Sequence, residues 1–412
     1  MLGVYPNNKY TFFLRMSNLK PVSLLKIDTT MRLRQFISTF ILSVCAVGCT
    51  QTHHTMPIIS WGGIPADKAD TLYSMAKECG FDTHLGLYRT QQNALLSMDA
   101  AAKAGIGIII SFPQLKDSTE NAVELIKDHP ALVAYHLKDE PDTADFPLLK
   151  SLCGKISSLD PEHPCYINLL PNWSWGVEEY AANIEFFASE LDVPFYSFDN
   201  YPIIEEDGQV RVRPEWYRNL EEFSMMARRH GKPFWAFALA KSHSITVPEV
   251  AHYPDPDLGQ LRLQVFSNLL YGAQAIQYFN FTGIVDPATC EKLLAYELIR
   301  QVNSEIKAYS HVFAGCTVAG VWHTGDSIPS GTNKLESMPH KKIKSLKITG
   351  NGGIIALIKN RGNTYLAIQN RDCINDANLE ISFKGKVKPL TPNGSTSQAI
   401  TLTPGNLAIF AL

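Results

Sequence analysis

The sequence offers little to support a metal centre, a nucleic-acid surface or a membrane-spanning helix. Only eight of its 412 residues are cysteines, and they form no CxxC pair or other metal-like spacing, so we expect no metal site. The formal net charge is −3, which argues against a broad positive surface for nucleic acid. Beyond residue 48, no apolar run approaches the ~20 residues that a membrane-spanning helix needs. With 45% hydrophobic residues, the chain has the composition of a globular protein with a sizeable core.

The first 48 residues have the composition of a targeting segment. Residues 31–34 are a short basic start, and the stretch from Phe36 to Val47 is apolar. A charged start, about a dozen apolar residues and a small-residue cleavage site predict a secretory signal peptide over residues 31–48. Residues 1–30 are interpreted as an upstream extension from a misplaced start codon, because a signal rarely begins thirty residues into a chain. Removing residues 1–48 takes away six Lys and Arg and one Asp, so the net charge moves from −3 to −8.

Cys49 directly follows Gly48 at the end of this segment, and the arrangement resembles the lipobox of bacterial lipoproteins. The resemblance implies that Cys49 becomes the lipidated N-terminus and that residues 49–55 form a tether. It also implies anchoring to the outer membrane of a Gram-negative bacterium, on the periplasmic face or at the cell surface. We expect the six later cysteines to be buried thiols.

Residues 56–311 alternate short apolar runs with amphipathic stretches. This alternation predicts parallel strands joined by helices, and eight such units in about 250 residues match a (β/α)8 TIM barrel. A doubly wound sheet is the alternative, but no GxGxxG follows the first run, and no glycine-rich phosphate loop is present, so we expect no cofactor. The eight runs are Pro57–Ser60, Thr83–Tyr88, Gly107–Phe112, Val133–Leu137, Cys165–Leu170, Phe195–Phe198, Phe234–Leu239 and Ala275–Phe279. The last run precedes a long helical pattern over Pro287–Tyr309.

Residues 312–412 have a different texture, with short strand-like runs and no helical pattern between them. The separators are turn sequences such as Gly350–Gly353 and Asn360–Asn363. This spacing predicts a small antiparallel β-sandwich as a second domain.

In a TIM barrel the active site lies at the carboxyl ends of the strands, so the residues after each run are the candidates for chemistry. These positions combine carboxylates, amides and aromatic rings, which suit a carbohydrate because sugars present hydroxyls and an apolar face. A carbohydrate substrate is therefore the predicted partner. The candidate substrate-binding residues are Trp61, Tyr88, Arg89, Asn172, Trp173, Trp175, Tyr201, Trp235, His243, Tyr278 and Asn280.

Asp139 and Glu140 end the fourth run, and Pro141 follows them without a backbone donor. This string resembles the Asn/Asp-Glu-Pro at the end of the fourth strand in clan A glycoside hydrolases. The resemblance implies that Glu140 is the general acid/base and that Asp139 stands where the clan has an Asn that orients the sugar 2-hydroxyl.

The second carboxylate that glycoside hydrolysis usually requires is not where clan A places it. The clan has a nucleophilic Glu at the end of the seventh strand, whereas the seventh run here continues into Ala240 and Lys241. Asp199, at the end of the sixth run, is the candidate replacement. A sixth-strand acid paired with a fourth-strand acid resembles the arrangement in α-galactosidase-like barrels.

Three alternatives remain open at this point. The adjacent Asp139 and Glu140 also resemble substrate-assisted β-N-acetylhexosaminidases, in which the sugar acetamide replaces an enzyme nucleophile. A non-catalytic glycan-binding surface lipoprotein would account for the missing seventh-strand Glu. A lyase would use bases such as Lys241 and His243.

The anchor interpretation makes a first prediction. Cys49→Ser, in a chain expressed from Met31, is expected to abolish lipid attachment, because only this cysteine follows the small-residue cleavage site. Detergent phase partitioning of whole-cell extracts measures the effect, and Cys45→Ser within the apolar stretch is the matched control. Unchanged membrane partitioning of Cys49→Ser would refute the lipobox.

Overall fold

The protein is described here by a computed structural model, which covers residues 55–246, 251–391 and 399–412. These residues belong to one compact unit, His54–Leu412. The predicted upstream extension, the signal peptide and the lipidation site at Cys49 lie outside the described residues. Among the helices that are described, none has the length and apolar character to cross a membrane.

Eight parallel strands close into a barrel, which confirms the TIM-barrel prediction. Around the barrel the hydrogen-bonded order is β1-β12-β9-β6-β5-β4-β3-β2, with strands numbered along the chain. Each predicted run agrees with a strand to within three residues at both ends. The turns that flank a short apolar run leave little freedom in where the strand begins and ends. The barrel strands are β1 (Ile58–Gly62), β2 (Thr83–Leu87), β3 (Gly107–Ser111), β4 (Leu132–Asp139), β5 (Cys165–Leu169), β6 (Tyr196–Phe198), β9 (Phe234–Leu239) and β12 (Ala275–Phe279).

Helices surround this barrel, as the crossover pattern predicts. The long pattern over Pro287–Tyr309 is helical only from Ala295, because Asp286 Oδ1 accepts backbone N–H groups of Ala288 and Thr289 and turns the chain first. The helices are α1 (Ala69–Glu78), α2 (Gln91–Ala104), α3 (Gln114–Asp117), α4 (Thr119–Ile126), α5 (Phe146–Leu159), α6 (Asn172–Trp175), α7 (Tyr180–Glu190), α8 (Trp216–Arg229), α9 (Leu258–Leu270), α10 (Ala295–Ala308) and α11 (Ser310–Phe313).

A small antiparallel sheet, which was not predicted from the sequence, lies at the barrel mouth. The loop after β6 contributes the hairpin β7 (Ile203–Glu206) and β8 (Gln209–Val212), and the loop after β9 contributes β10 (His243–Ile245) and β11 (Ala251–Tyr253). The hairpin turn is Asp207-Gly208, with φ of 51° and 70°. An Asp-Gly pair between two strand-forming segments is the usual signal for such a turn, and this pair is visible in the sequence.

The C-terminal region consists of antiparallel strands in two sheets, so the predicted fold class of a TIM barrel followed by a β domain is confirmed. The five-stranded sheet has the order β13-β15-β16-β20-β18 and the three-stranded sheet the order β14-β17-β19. The strands are β13 (Thr317–His323), β14 (Ile343–Ile348), β15 (Gly353–Asn360), β16 (Asn363–Asn370), β17 (Ala377–Phe383), β18 (Lys388–Pro389), β19 (Ile400–Leu402) and β20 (Leu407–Ala411).

The five-stranded sheet is buried on both faces. Alternate residues of β15 divide between two hydrophobic clusters: Ile354 packs into the large cluster around the barrel, and Ile355 packs against the three-stranded sheet. Burial on both faces explains why residues 353–358 form a continuous apolar run rather than an alternating one. The sheet therefore joins the β domain to the barrel.

A buried glutamine secures this junction. Gln369 is fully buried, and its Nε2 donates to the carbonyls of Arg262 (3.2 Å), Leu263 (3.2 Å) and Gly405 (2.9 Å). Its Oε1 accepts from Ser267 Oγ at 2.8 Å. One side chain thus bonds to two backbone carbonyls of α9 and to a loop carbonyl of the β domain.

We expect Gln369→Met to destabilise the protein by about 2–4 kcal/mol, because several buried polar groups lose their partner while the volume is kept. Urea unfolding followed by circular dichroism measures the change. Gln301→Met, on the exposed side of α10, is the matched control and is expected to stay within about 0.5 kcal/mol of the parent. Equal stabilities of the two variants would contradict this account.

Candidate active site

A cavity of about 240 Å³ opens at the carboxyl ends of the barrel strands, where a TIM barrel places its active site. It contains all three carboxylates predicted for catalysis, Asp139, Glu140 and Asp199. The complete lining is Trp61, Asp139, Glu140, Asn168, Pro171, Trp173, Asp199, Asn200, Tyr201, Phe237, His243, Ile245, Tyr253 and Phe279.

The end of β4 sets the position of Glu140. Asp139 is the last residue of the strand, and Glu140 follows in the left-handed backbone region with φ of 48°. That conformation costs a non-glycine residue of order 1 kcal/mol, and here the Glu140 N–H donates to the Asn168 carbonyl at 2.9 Å. After Pro141, Asp142 caps a short 3-10 helix and leads the chain away from the barrel. The local sequence therefore turns Glu140 out of the strand and into the mouth.

Asn168 links two of the carboxylates. It lies beside Asp139 in the β4–β5 register, and its Nδ2 donates to Asp139 Oδ1 at 3.2 Å and to Asp199 Oδ1 at 2.7 Å. Its own Oδ1 accepts from Ser197 Oγ at 2.8 Å, which fixes the amide with its nitrogen towards the carboxylates. Asn168 was not predicted, although an amide inside the apolar run Cys165–Leu169 was a signal that could have identified it.

A buried polar network supports Asn168 from below. Gln277 Nε2 donates to Ser197 Oγ at 2.9 Å, and the Tyr166 hydroxyl donates to Gln277 Oε1 at 2.7 Å. These side chains come from β5, β6 and β12 and fill the barrel interior. Because each is buried and partnered, the orientation of the Asn168 amide is determined by three strands at once.

Burial raises the pKa of all three carboxyl groups, and neighbouring charges add to the shift of two of them. Desolvation, followed by the charge of Asp139, raises the pKa of Glu140 to about 7. Desolvation raises the pKa of Asp139 to about 6, and the N–H of Asn168 opposes that shift. Desolvation together with the charges of Glu140 and Asp139 also raises the pKa of Asp199. The site therefore retains bound protons close to neutral pH.

Aromatic side chains form the walls of the cavity. Trp61 meets Phe237 edge to face, with ring centroids 5.5 Å apart. Trp173 donates from Nε1 to Asn200 Oδ1 at 3.3 Å, and the buried guanidinium of Arg213 lies 4.6 Å from its ring. The rings leave flat apolar surface around the carboxylates, which suits the apolar face of a sugar.

The small sheet at the mouth closes the opposite wall. His243 of β10 stacks on Tyr253 of β11, with centroids 4.7 Å apart and 14° between the planes. Tyr201 packs edge to face against both rings. Phe279, at the end of β12, packs on Tyr201 at 5.7 Å. Of this group, Tyr253 and Phe279 were not predicted. Tyr253 was missed together with the sheet that places it.

Among the predicted substrate-binding residues, four line the cavity: Trp61, Trp173, Tyr201 and His243. The other seven do not line it. Two of them face the helices instead of the barrel interior. The Tyr88 hydroxyl bonds to Tyr73 at 2.8 Å, and Tyr278 packs against Phe81 at 5.7 Å. Side chains alternate along a strand, so the inward position beside Tyr278 belongs to its neighbour Gln277.

Two tryptophans are partly buried and pack against the hydrophobic core. Trp235 is the second residue of β9 and stacks on Phe195 at 3.7 Å, near the amino end of the barrel and remote from the mouth. Trp175 packs against Phe146 and Tyr180. Both positions are decided by packing that a single strand or loop does not reveal.

The remaining three are polar residues near the mouth with other contacts. Arg89 is exposed in the loop after β2. Asn172 is fully buried, and its N–H donates to Asn219 Oδ1 at 2.8 Å. Asn280 Oδ1 accepts from the Thr282 N–H at 3.0 Å and caps a short 3-10 helix. The contacts of Asn172 and Asn280 position loops around the cavity. None of the three residues lines it.

The chain is similar to one family model and to several solved structures. Residues 146–314 match the model of glycoside hydrolase family 42, described as beta-galactosidase. A glycoside hydrolase family 5 protein from Bacteroides vulgatus ATCC 8482 has a similar structure, at 12% identity and a TM-score of 0.47, over 86% of this chain and 88% of that one. The GH99 endo-alpha-mannosidase from Bacteroides thetaiotaomicron is similar over 63% of this chain and 100% of that one, at 14% identity and a TM-score of 0.43. No curated protein sequence is detectably similar to the chain.

The barrel, the carboxylates at its mouth and the family match define the class of this protein: it is a (β/α)8-barrel glycoside hydrolase, and its substrate is a carbohydrate. The prediction of a glycoside hydrolase is thereby confirmed. The family match begins at Phe146, after Glu140, and includes Asp199 and the end of β9.

The electrostatic coupling can be tested without an activity assay. In Asp139→Asn, the pKa of Glu140 is expected to fall below about 7, because the Asp139 charge raises it; desolvation keeps it above the usual value. Nuclear magnetic resonance titration of ¹³C-labelled glutamate carboxyls measures the shift. Asp192→Asn, at the amino end of β6, is the control and should leave Glu140 unchanged. An unshifted Glu140 in Asp139→Asn would show that the two groups do not interact.

Proposed function

We propose that the protein hydrolyses O-glycosidic bonds with Glu140 as general acid/base and Asp199 as the second carboxylate. The observation that carries the proposal is that both side chains line one cavity, with Asp199 held towards it by Asn168. A substrate bound there has a proton donor and an anionic group within the same enclosed volume. This is the pair of functions that glycoside hydrolysis requires.

Glu140 suits the role of acid because its pKa is raised to about 7. A carboxyl that keeps its proton near neutral pH can protonate the departing oxygen, and afterwards serve as a base. As pH rises through that pKa, the proton is lost and kcat/KM falls. The site thus supports an activity maximum below neutrality, with an alkaline limb set by the carboxyl cluster as a whole.

Asp199 replaces the acid that is absent from the end of β9. There, the Lys241 ammonium donates to Thr282 Oγ1 at 3.1 Å, and the cavity wall is formed by Phe237. Burial and the charges of Glu140 and Asp139 raise the pKa of Asp199, and the N–H that Asn168 donates opposes that shift by favouring the ionised form, which a nucleophile or base requires. Asp199 either attacks the anomeric carbon or activates a water.

Asp139 has a supporting role in this scheme. Its oxygen and that of Asp199 share the Asn168 nitrogen, at 3.2 and 2.7 Å, so these two oxygens are at most about 6 Å apart. From this place Asp139 keeps the pKa of Glu140 high, and it is within reach of a sugar hydroxyl. Its position beside Glu140 is also compatible with a second mechanism.

That second candidate is the substrate-assisted reaction of a β-N-acetylhexosaminidase. Asp139 lines the same cavity and would orient the substrate acetamide, while Glu140 acts as the acid. In this mechanism Asp199 is not essential and only N-acetylated sugars react. In the two-carboxylate mechanism, loss of Asp199 abolishes turnover of every substrate.

The family description makes aryl β-galactosides the first substrates to assay, followed by aryl β-N-acetylglucosaminides. We further propose that the enzyme acts as a lipoprotein anchored through Cys49, at the periplasmic face or the surface of the outer membrane. The apolar stretch before Cys49 and the small residue at Gly48 support this location.

Substitution of the two carboxylates tests the assignment. Glu140→Gln is expected to lower kcat/KM on a disaccharide by roughly 10²–10⁴-fold, since it cannot donate a proton. An aryl glycoside with an acidic phenol needs little protonation, so its cleavage should suffer much less. Asp199→Asn should impair both substrates alike. Glu162→Gln, at the amino end of the barrel, is the matched control.

Two outcomes would contradict the assignment. Parent-like turnover of both substrates by folded Glu140→Gln would remove Glu140 from the acid role. Loss of activity in Asp139→Asn, with Asp199→Asn still active on an N-acetylated substrate alone, would replace the two-carboxylate mechanism with the substrate-assisted one. Azide rescue of Glu140→Ala on the aryl substrate would add that the reaction retains configuration.

A further inference from the structure

Lysines collect at one end of the β domain, although the whole chain is slightly acidic. The register pairs Ile343, at the start of β14, with Phe383, at the end of β17, so the lysines that flank these two positions come together. The Lys384 N–H donates to the Lys342 carbonyl at 2.7 Å, which closes this end of the sheet. We call the group the basic end: Lys341, Lys342, Lys344, Lys384, Lys386 and Lys388.

These lysines have no anionic partners of their own. Five of the six are exposed, and Lys342 is half-buried. Within the described ranges none of the six forms an ion pair, whereas barrel lysines such as Lys150 and Lys307 pair with carboxylates. Ammonium groups on neighbouring segments repel one another, and bound anions would relieve that repulsion.

A cleft of about 680 Å³ lies within the basic end. Lys342, Lys386 and Lys388 line it together with Phe383 and Val387. As far as the structure describes this cleft, no acidic side chain lines it. An ammonium group binds a phosphate oxygen as a point charge, and three of them around one cleft suit anionic headgroups.

The basic end lies on the side where the chain enters the fold. Lys388 pairs with Ala411, and Ala411 pairs with Tyr365, next to the β15–β16 turn. That turn contains Arg361, which lines a small cleft together with Thr55. Lys388 and the turn are thus at the same end of the sheet, two strands or about 10 Å apart. Exposed Arg361 adds a further positive charge on this side.

The catalytic cavity lies on the other side. Thr55 precedes β1 at the amino ends of the barrel strands, whereas Glu140 and Asp199 lie at the carboxyl ends. A glycan held in the cavity therefore points away from the basic end. The proposed lipid site Cys49 is only six residues before Thr55, a span of at most about 20 Å. This placement favours a membrane surface over the substrate as the source of anions.

We propose that the basic end binds the anionic headgroups of a lipid membrane, and so orients the barrel with its mouth away from that surface. The proposal rests on the proposed lipid anchor at Cys49 and is independent of the hydrolase mechanism. A lipid at Cys49 would tether the chain without fixing the direction in which the barrel faces, and an adjoining basic patch is a common second contribution to membrane binding. Phosphate groups at the membrane surface supply the anions that the six lysines lack.

Binding of the full chain carrying Cys49→Ser to vesicles tests the proposal without a contribution from the lipid anchor. Sedimentation is measured with vesicles of phosphatidylcholine, with and without phosphatidylglycerol. The variant Lys384→Gln/Lys386→Gln/Lys388→Gln is expected to bind the anionic vesicles about 100-fold more weakly than its parent, and added salt should weaken the parent similarly. The matched control changes three exposed lysines remote from the basic end, Lys68→Gln/Lys116→Gln/Lys334→Gln, and should bind like the parent.

Three results would overturn the proposal: equal binding to neutral vesicles, an equal loss in the control variant, or tighter binding to the soluble polyanions dextran sulfate or DNA than to anionic vesicles. The last result would replace a membrane by a soluble polyanion as the partner. Hydrolysis of an aryl glycoside is measured in parallel and should be the same in all variants. Failure of the hydrolase proposal would leave the vesicle comparison intact.

Discussion

The active site depends on one amide that holds two carboxylates apart and in place. Asn168 donates to both Asp139 and Asp199, and Ser197 prevents the amide from turning over. Without these N–H groups, three carboxyls around a cavity of about 240 Å³ would repel one another with little to offset it. The polar network that supports Asn168 runs through the barrel interior, so the closed sheet is required for the chemistry as well as for the fold.

The mouth combines carboxylates at strand ends with walls that the surrounding loops build. The ends of β4 and β6 supply the carboxylates, and the loops after β6 and β9 pair into a small sheet that supplies His243 and Tyr253. β9 contributes Phe237 to the aromatic wall and has no acid at its end. A barrel can relocate its second carboxylate in this way because all strand ends converge on one cavity.

The β domain is joined to the barrel through a sheet that is buried on both faces. Ile354 and Ile355 belong to different hydrophobic clusters, and Gln369 satisfies backbone groups on both sides of the junction. This rigid attachment gives the basic end a definite position relative to the mouth. The low net charge of the chain does not reveal the cluster of lysines at the basic end, because acidic residues elsewhere balance them.

Sequence alone determined the eight barrel strands, the β character of the C-terminal region and the presence of Asp139, Glu140 and Asp199 at strand ends, because these follow from local periodicity and from turn residues. Tertiary structure decided which aromatic rings reach the cavity. Trp235 and Tyr278 were mistaken for sugar contacts because the depth and facing of a barrel residue depend on strand tilt and register. The bridge from Asn168 to two carboxylates likewise arises only when β4, β5 and β6 lie side by side.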